Sequence, residues 1–231
     1  MNFNKSLLIG LSAIALIGCG GGGGDTGFSQ DPSKLRVAVA NYQEPSSLDA
    51  YWGDQRFVEN VPGGYLSGYA SVAPGTGSVE FRDEPGRGLV AKSEPATTLV
   101  SGNYFTSVTW NSEDGPRAMI VQDEHMSLAG KGKARFLHTA ANLGQVDVYI
   151  VPAATDIRSL EPSFKNVQPG AATPYVEFTP QYVDVVVTRP GQKTQLFAYG
   201  VELASQGVRS VIMTRNQASN LWAMVLKDSE F

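Results

Sequence analysis

The sequence predicts an all-β protein made of two antiparallel β-sandwiches in tandem. Three observations support this: short segments rich in β-branched and aromatic residues, Gly and Pro turns between them, and an internal repeat with offsets of 98 to 106 residues. The 231 residues are 42% hydrophobic and 17% charged, with a net charge of −4, a composition typical of a folded chain. No dense basic patch indicates a nucleic-acid partner.

The predicted strands are short, and several alternate in polarity. In Val183–Val187 and Val208–Ile212, one face is apolar at period two. Gly and Pro mark the turns, as in Arg189-Pro190-Gly191. We predict strands at Val37–Val39, Phe136–Leu137, Asp147–Val151, Tyr182–Thr188, Thr194–Tyr199 and Val208–Thr214. Short strands at this spacing, without a long amphipathic helical pattern, favour antiparallel sandwiches.

Three pairs of segments recur in the same order along the chain. They are Leu48–Tyr51 with Val146–Tyr149, Asn60–Gly64 with Asn166–Gly170, and Ala118–Asp123 with Ala223–Asp228. The offsets of 98, 106 and 105 predict two copies of one unit, with eight extra residues in a loop around 152–162. We place the first sandwich at 34–124, a linker at 125–132 and the second sandwich at 133–231. Asp49 and Asp147 share a repeat position, which favours a structural role over catalysis.

The N-terminal residues 1–18 are typical of a signal peptide. Lys5 supplies a positive charge, and Leu7–Ile17 supply an apolar core of 11 residues, which is too short to span a membrane. Cys19 is the only cysteine and ends the run Leu16-Ile17-Gly18-Cys19, which resembles the lipobox of bacterial lipoproteins. The resemblance implies lipidation of Cys19; the alternative is an ordinary secretory signal with a free thiol.

Residues 19–33 follow as a Gly-rich tether with too little apolar surface to fold. Such a linker has an r.m.s. reach of roughly 20 Å. Gly20 directly follows the cysteine, and the sorting rule that lipoproteins of Gram-negative bacteria obey then implies the outer membrane. We therefore expect a lipid-anchored protein that faces either the periplasm or the cell surface, with the membrane as its partner through Cys19.

A further resemblance comes from residues inside the two copies. The first copy carries Asn60–Gly64, Ser67, Tyr69 and Val72–Gly75, and the second carries Arg135–Ala140 and Val146–Tyr149. This pattern resembles the bacterial family called domain of unknown function 4397 over most of Lys34–Phe231. The first copy departs from it, since Val39 or Ala40 stands where the second has His138. The resemblance implies an immunoglobulin-like sandwich and no reaction.

Catalytic patterns are mostly absent from the sequence. His125 and His138 are the two histidines, and neither has the spacing of a metal site. No nucleophile elbow or phosphate-binding loop occurs, so we predict no catalytic residue, metal or cofactor. His138 is the strongest single candidate for chemistry, yet a backbone hydrogen bond and ring packing are the favoured interpretation.

Aromatic residues could mark a binding surface instead, by stacking on sugar rings or docking a protein. They are Tyr42, Trp52, Tyr65, Tyr69, Tyr104, Trp110 and Trp222. We predict Tyr42, His138 and, on the long loop, Asp156 and Arg158 as binding residues. The predicted function is non-enzymatic binding or scaffolding at the envelope or cell surface, with an envelope protein or a surface glycan as partner. The alternative is a carbohydrate-active or hydrolytic module that uses His138 and nearby carboxylates.

Overall fold

The structure is a computed structural model that describes residues 30–41, 47–83, 88–216 and 219–229. In these ranges the regular structure consists of 20 β-strands and two short 3-10 helices, Ala141–Leu143 and Ile157–Ser159. The predicted all-β class is therefore confirmed. No helix among the described residues is long and apolar enough to cross a membrane.

The strands are numbered in chain order, and each copy contributes its own set. The first copy contains β1 Ser33–Val39, β2 Leu48–Trp52, β3 Gln55–Val61, β4 Tyr65–Leu66, β5 Ala70–Val72, β6 Gly75–Gly77, β7 Val79–Asp83, β8 Leu89–Lys92, β9 Thr97–Leu99, β10 Tyr104–Ser112 and β11 Gly115–Asp123. The second contains β12 Gly132–His138, β13 Val146–Pro152, β14 Phe164–Val167, β15 Ala171–Ala172, β16 Val176–Phe178, β17 Gln181–Thr188, β18 Gln195–Leu203, β19 Val208–Arg215 and β20 Leu221–Lys227. All six predicted strands are present.

Each copy has an outer sheet and an inner sheet. In the first copy the outer order is β3-β2-β7-β8 and the inner order is β11-β10-β1-β4, with β5 also on β1. In the second copy the outer order is β14-β13-β17-β18 and the inner order is β15-β12-β19-β20, with β16 also on β12. The strand pairs are antiparallel as predicted, except that β1–β10 and β12–β19 are parallel. A parallel pair needs a long connection, which the intervening outer-sheet strands provide.

Buried apolar side chains form a cluster inside each copy and a third cluster between the copies. The third, here called the intercopy cluster, joins the two inner sheets and contains Ala38, Ala40, Val108, Trp110, Met119, Leu137, Ile212, Met224 and Leu226. The inner strands are consequently buried on both faces. In β12, for example, Phe136 packs inside the second copy and its neighbour Leu137 packs between the copies, each with 0% exposure. The domain boundaries of the tandem remain a prediction.

The repeated aspartates hold an equivalent bulge in each copy, in the strand where the register with the neighbouring strand shifts. One carboxylate oxygen of Asp49 accepts a hydrogen bond from the Asn60 backbone N–H at 2.9 Å, and Asp147 accepts one from Asn166 at 2.9 Å. Asn60 and Asn166 have φ values of 57° and 53°, in the left-handed region that asparagine tolerates better than most residues. The predicted structural role of both aspartates is confirmed.

The longer loop of the second copy covers the outer face of its outer sheet. It runs from the end of β13 to the start of β14 and includes the 3-10 helix Ile157–Ser159. Ile157 packs against Tyr149 and Val186 in a small apolar cluster. The Lys193 ammonium lies 5.0 Å from the Tyr149 ring centroid and donates to its hydroxyl at 3.0 Å. The extra residues therefore shield one face of the sheet and carry Asp156 and Arg158 on their surface.

Candidate functional site

A cleft opens where one end of the inner sheet of the first copy meets the end of β20. Its volume is about 520 Å³. We call it the intercopy cleft, and it is lined by Lys34, Arg36, Ser67, Gly68, Tyr69, Tyr104, His125, Lys227, Asp228 and Ser229. Residues from both copies therefore meet at one opening, which neither copy forms alone.

Three aromatic rings form one wall of the intercopy cleft. Tyr104 and His125 stack with ring centroids 3.8 Å apart and an interplanar angle of 3°. Tyr69 meets Tyr104 edge-to-face at 5.1 Å, a favoured aromatic geometry. His125 Nδ1 lies 2.7 Å from the Asp228 carbonyl oxygen, which can only accept, so we assign the proton to Nδ1. All three rings are half-buried.

The floor of the cleft is a buried ion pair between the copies. Arg36 of β1 donates to Asp228 Oδ1 and, at 2.7 Å, to the Lys227 carbonyl oxygen. Its remaining Nε–H donates to Thr106 Oγ1 at 2.9 Å. The guanidinium carbon lies 4.4 Å from the Tyr69 ring centroid, so a cation–π contact adds to the pair. The Arg36 and Asp228 side chains are 3% and 0% exposed.

The second copy supplies an equivalent arginine, which pairs with an aspartate of the first copy. Arg135 donates to Asp123 Oδ1 at 2.5 Å, to the Gln122 carbonyl at 2.7 Å and to Ser210 Oγ at 2.7 Å. Its guanidinium carbon lies 4.5 Å from the Tyr175 ring centroid. We call the two arginines and two aspartates, Arg36, Arg135, Asp123 and Asp228, the intercopy network. Each copy therefore contributes one arginine and one aspartate, and each arginine pairs with the aspartate of the other copy.

Two tyrosine hydroxyls complete the network. Tyr69 donates to Asp123 Oδ2 at 2.7 Å, and Tyr175 donates to Asp228 Oδ2 at 2.9 Å. Burial, followed by the charge of the nearby aspartate, raises the pKa of both phenols and keeps them protonated as donors. Burial and then Asp123 raise the pKa of Asp228, although Arg135 and Arg36 oppose this. Two positive and two negative charges make the network neutral overall.

The two ends of the pseudo-symmetric interface differ in their aromatic content. Lys34 of β1 pairs with Tyr104 of β10, whereas Lys133 of β12 pairs with Val208 of β19 at the equivalent register. A tyrosine in the first copy thus corresponds to a buried valine in the second. The aromatic wall built on Tyr104 is a feature of the end that holds the intercopy cleft.

The three predicted binding residues that the structure describes, His138, Asp156 and Arg158, do not line this cleft. Tyr42 lies outside the described residues, as does Cys19. Asp156 and Arg158 do come together on the long loop: Arg158 Nη2 lies 2.7 Å from Asp156 Oδ2. Hydrogen bonds from the Arg158 side chain and backbone lower the pKa of Asp156 to about 2. Both side chains are exposed, so the pair lies open on the surface.

His138 lies inside the second copy rather than at its surface. Its exposure is 0%, and Nε2 lies 2.8 Å from the Gly144 carbonyl oxygen. A carbonyl can only accept, so we assign the proton to Nε2; Nδ1 has no hydrogen-bond partner among the described residues. Burial lowers the pKa of His138. This placement fits the structural interpretation that the sequence favoured.

The buried neutral imidazole predicts a pH dependence of stability. Because the folded pKa lies below the unfolded value of about 6.5, acid protonates the unfolded state first. We expect His138 to contribute its full stabilisation of the fold above pH 6.5. This stabilisation is lost as the pH falls from 6.5 to the folded pKa, where the free energy of unfolding drops by at most about 1.4 kcal/mol per pH unit. Urea unfolding at several pH values measures it.

Two variants isolate this effect from the titration of carboxylates. His138→Gln is expected to reduce the difference in the free energy of unfolding between neutral and mildly acidic pH. His125→Gln, which replaces a half-buried histidine, serves as the matched control. Equal pH dependence in the original chain and in His138→Gln would contradict the assignment.

The residues that form the cleft went largely unpredicted as a site. The repeat did match Asp123 with Asp228, and the family resemblance drew attention to Arg135, but Arg36 and the lysines carried no recognised pattern. Tyr69 and Tyr175 also share a repeat position at the offset of 106, and matching Arg36 with Arg135, at an offset of 99, would have exposed the network. No group of three or more His, Cys, Asp or Glu in the described ranges is placed to hold a metal.

The predicted aromatic candidates divide by location. Trp52 and Trp110 are buried, and the Trp52 indole N–H donates to the Ala73 carbonyl at 2.9 Å. Trp222 and Tyr65 are exposed at 40% and 57% and do not line the intercopy cleft. Tyr69 and Tyr104 are the two predicted aromatic candidates that the cleft brings together.

Comparisons with known proteins identify a family for the chain. The family model described as Domain of unknown function (DUF4397) matches residues 33–149, which confirms the resemblance that the sequence indicated. No curated protein matches the chain. A carbohydrate-binding module of Amy13K from Eubacterium rectale (family CBM26), solved in complex with maltoheptaose, is similar at 10% identity and a TM-score of 0.24, covering 84% of this chain and 96% of that one.

Proposed function

Since the chain belongs to the DUF4397 family, whose description assigns no reaction, we propose from its own residues that it is a non-enzymatic binding protein. The observation that carries this proposal is the intercopy cleft, where a half-exposed aromatic wall stands beside cationic side chains. Aromatic rings with an apolar body and a polar edge are suited to contact ligands that combine apolar faces with hydroxyl groups. A surface glycan has this chemistry.

The network beneath the wall supports a binding role because it fixes the wall in place. Arg36 lies against Tyr69, and the Tyr69 hydroxyl bonds to Asp123. A recognition site gains affinity when its side chains are ordered before the ligand arrives. The buried network therefore gives the cleft a preorganised shape.

The rival enzymatic hypothesis depended on His138, and the placement of that residue lends it no support. The imidazole is fully buried and its Nε2 proton faces a backbone carbonyl. A general acid or base must reach the proton that it transfers, directly or through one water. We therefore favour binding.

Replacing Tyr104 tests the binding role. We expect Tyr104→Ala to weaken retention of the purified protein in affinity gels that contain soluble polysaccharides by about tenfold, since a lost aromatic contact removes about 1–1.5 kcal/mol. Tyr182→Ala, which removes a 59% exposed tyrosine from the second copy, is the matched control and should bind normally. Equal retention of Tyr104→Ala and Tyr182→Ala would show that the intercopy cleft takes no part in binding.

We further propose that Cys19 carries lipid and holds the protein at the outer membrane, as the lipobox resemblance and Gly20 indicate. Two or more acyl chains make such an anchor stable. The Cys19→Ser chain is expected to leave the membrane fraction and to lose incorporation of radiolabelled palmitate. A substituted chain that stays in the washed membrane pellet would show that the anchor lies elsewhere.

A further inference from the structure

We propose that the ligand of the intercopy cleft is an acidic pyranose, a sugar ring that carries a carboxylate, as in a polyuronate. This inference rests on the proposed binding function and adds the charge of the ligand to it.

The charge of the cleft is opposite in sign to that of the whole chain. Its lining side chains include two cations, Lys34 and Arg36, and one carboxylate, Asp228, so two minus one gives a local charge of +1 with histidine neutral. Lys227 contributes its carbonyl oxygen, which accepts from Arg36. The protein as a whole carries −4. A positive opening on an acidic protein selects anionic ligands and speeds their approach.

The excess positive charge belongs to Lys34. Arg36 and Asp228 neutralise each other on the floor. Lys34 Nζ donates to the Ser71 hydroxyl at 2.9 Å, and among the ion pairs of the described residues Lys34 has no carboxylate partner. A ligand carboxylate would supply that partner.

Lys34 lies next to the aromatic wall. It is on β1 beside Tyr104, at its parallel register position. A ligand that spans the opening would meet the aromatic wall and an ammonium group together. Lysine ammonium groups act as mobile point charges and reach a ring carboxylate without the fixed fork of an arginine. This combination suits a sugar acid better than a neutral sugar or an anion without a ring.

The cleft can be tested with four polymers of defined chemistry. Alginate and polygalacturonate supply pyranose carboxylates, dextran supplies a neutral pyranose, and polyglutamate supplies carboxylates without a sugar ring. We expect both polyuronates to bind at least about tenfold more tightly than dextran or polyglutamate, and added salt to weaken that binding. Isothermal titration at two salt concentrations gives both quantities.

Lysine variants locate the effect. Lys34→Met and Lys34→Gln are each expected to lower polyuronate affinity about three- to tenfold and to reduce its salt dependence. Lys34→Gln keeps a donor for the Ser71 hydroxyl, so it keeps the test valid if Lys34→Met disturbs folding. Lys165→Met, on an exposed lysine that pairs with Glu161, is the control and should bind as the original chain does.

The outcomes separate this inference from the function on which it rests. Equal binding of dextran and polyuronates, both lost in Tyr104→Ala, would overturn the acidic ligand and leave the binding function standing. Equal binding of polyglutamate and polyuronates, unaffected by Tyr104→Ala, would overturn the sugar ring. Absence of binding by all four polymers, or binding untouched by every cleft variant, would overturn both.

Discussion

Arg36→Met is expected to lower the free energy of unfolding by about 3–5 kcal/mol, because it leaves the carboxylate of Asp228 buried without its cation. The Asp228 side chain is 0% exposed, so water cannot replace the guanidinium. The substitution also removes the donor to the Lys227 carbonyl. Urea unfolding followed by tryptophan fluorescence measures the loss as a lower midpoint.

The double variant Arg36→Met/Asp228→Leu supplies the control. Removing both charges avoids the unpaired carboxylate, and apolar replacement of a buried ion pair is often close to neutral. The double variant should therefore lose clearly less than the two single variants added together. Additive losses, or a loss below about 1 kcal/mol in Arg36→Met, a size typical of exposed pairs, would contradict a buried network between the copies.

Leu137→Ala is expected to lower the free energy of unfolding by about 2–5 kcal/mol. Leu137 is 0% exposed and packs with Ile212 in the intercopy cluster, so truncation leaves a cavity between the two copies. If the copies did not pack together, the same side chain would face solvent, where substitutions change stability by at most about 0.5 kcal/mol. The size of the loss, measured by urea unfolding, therefore reports the packing between copies.

Two comparisons keep this result specific. Leu128→Ala removes a leucine that is 69% exposed in the connection between the copies and should leave stability nearly unchanged. Phe136→Ala, one residue before Leu137, opens a cavity in the apolar cluster inside the second copy instead. It should lower the free energy of unfolding by about 3–5 kcal/mol. A Leu137→Ala chain as stable as Leu128→Ala would mean that the inner sheets do not bury each other.

The strands could be predicted because their signals are local. In Tyr182–Thr188 and Val208–Thr214, β-branched residues recur within a short segment bounded by turn residues, and the chain direction alone fixes which side chains share a face. The structural role of Asp49 and Asp147 was also predictable in kind, because duplication of one residue in two copies favours a fold determinant. Each of these inferences uses residues that are close in sequence or matched by the repeat.

The intercopy cleft could not be predicted in the same way. Arg36 and Asp228 are 192 residues apart, and no sequence pattern near either residue indicates that the two will pair. Lys34 and Tyr104 lie on neighbouring strands of one inner sheet, and Asp228 of the second copy joins them only after the inner sheets pack. Sequence reasoning instead selected Tyr42, His138, Asp156 and Arg158, for which loop position or residue type was the available signal.

The sequence by itself determined the all-β class, the two copies, the strands and the family, because hydrophobic periodicity and repeat offsets are properties of the chain. Only the tertiary structure decided that the two inner sheets bury each other. β12 is buried on both faces, and periodicity shows that Phe136 and Leu137 point in opposite directions but not what each one meets. Long-range packing makes that choice, and with it the pairing of Arg36 with Asp228 and the cleft above them.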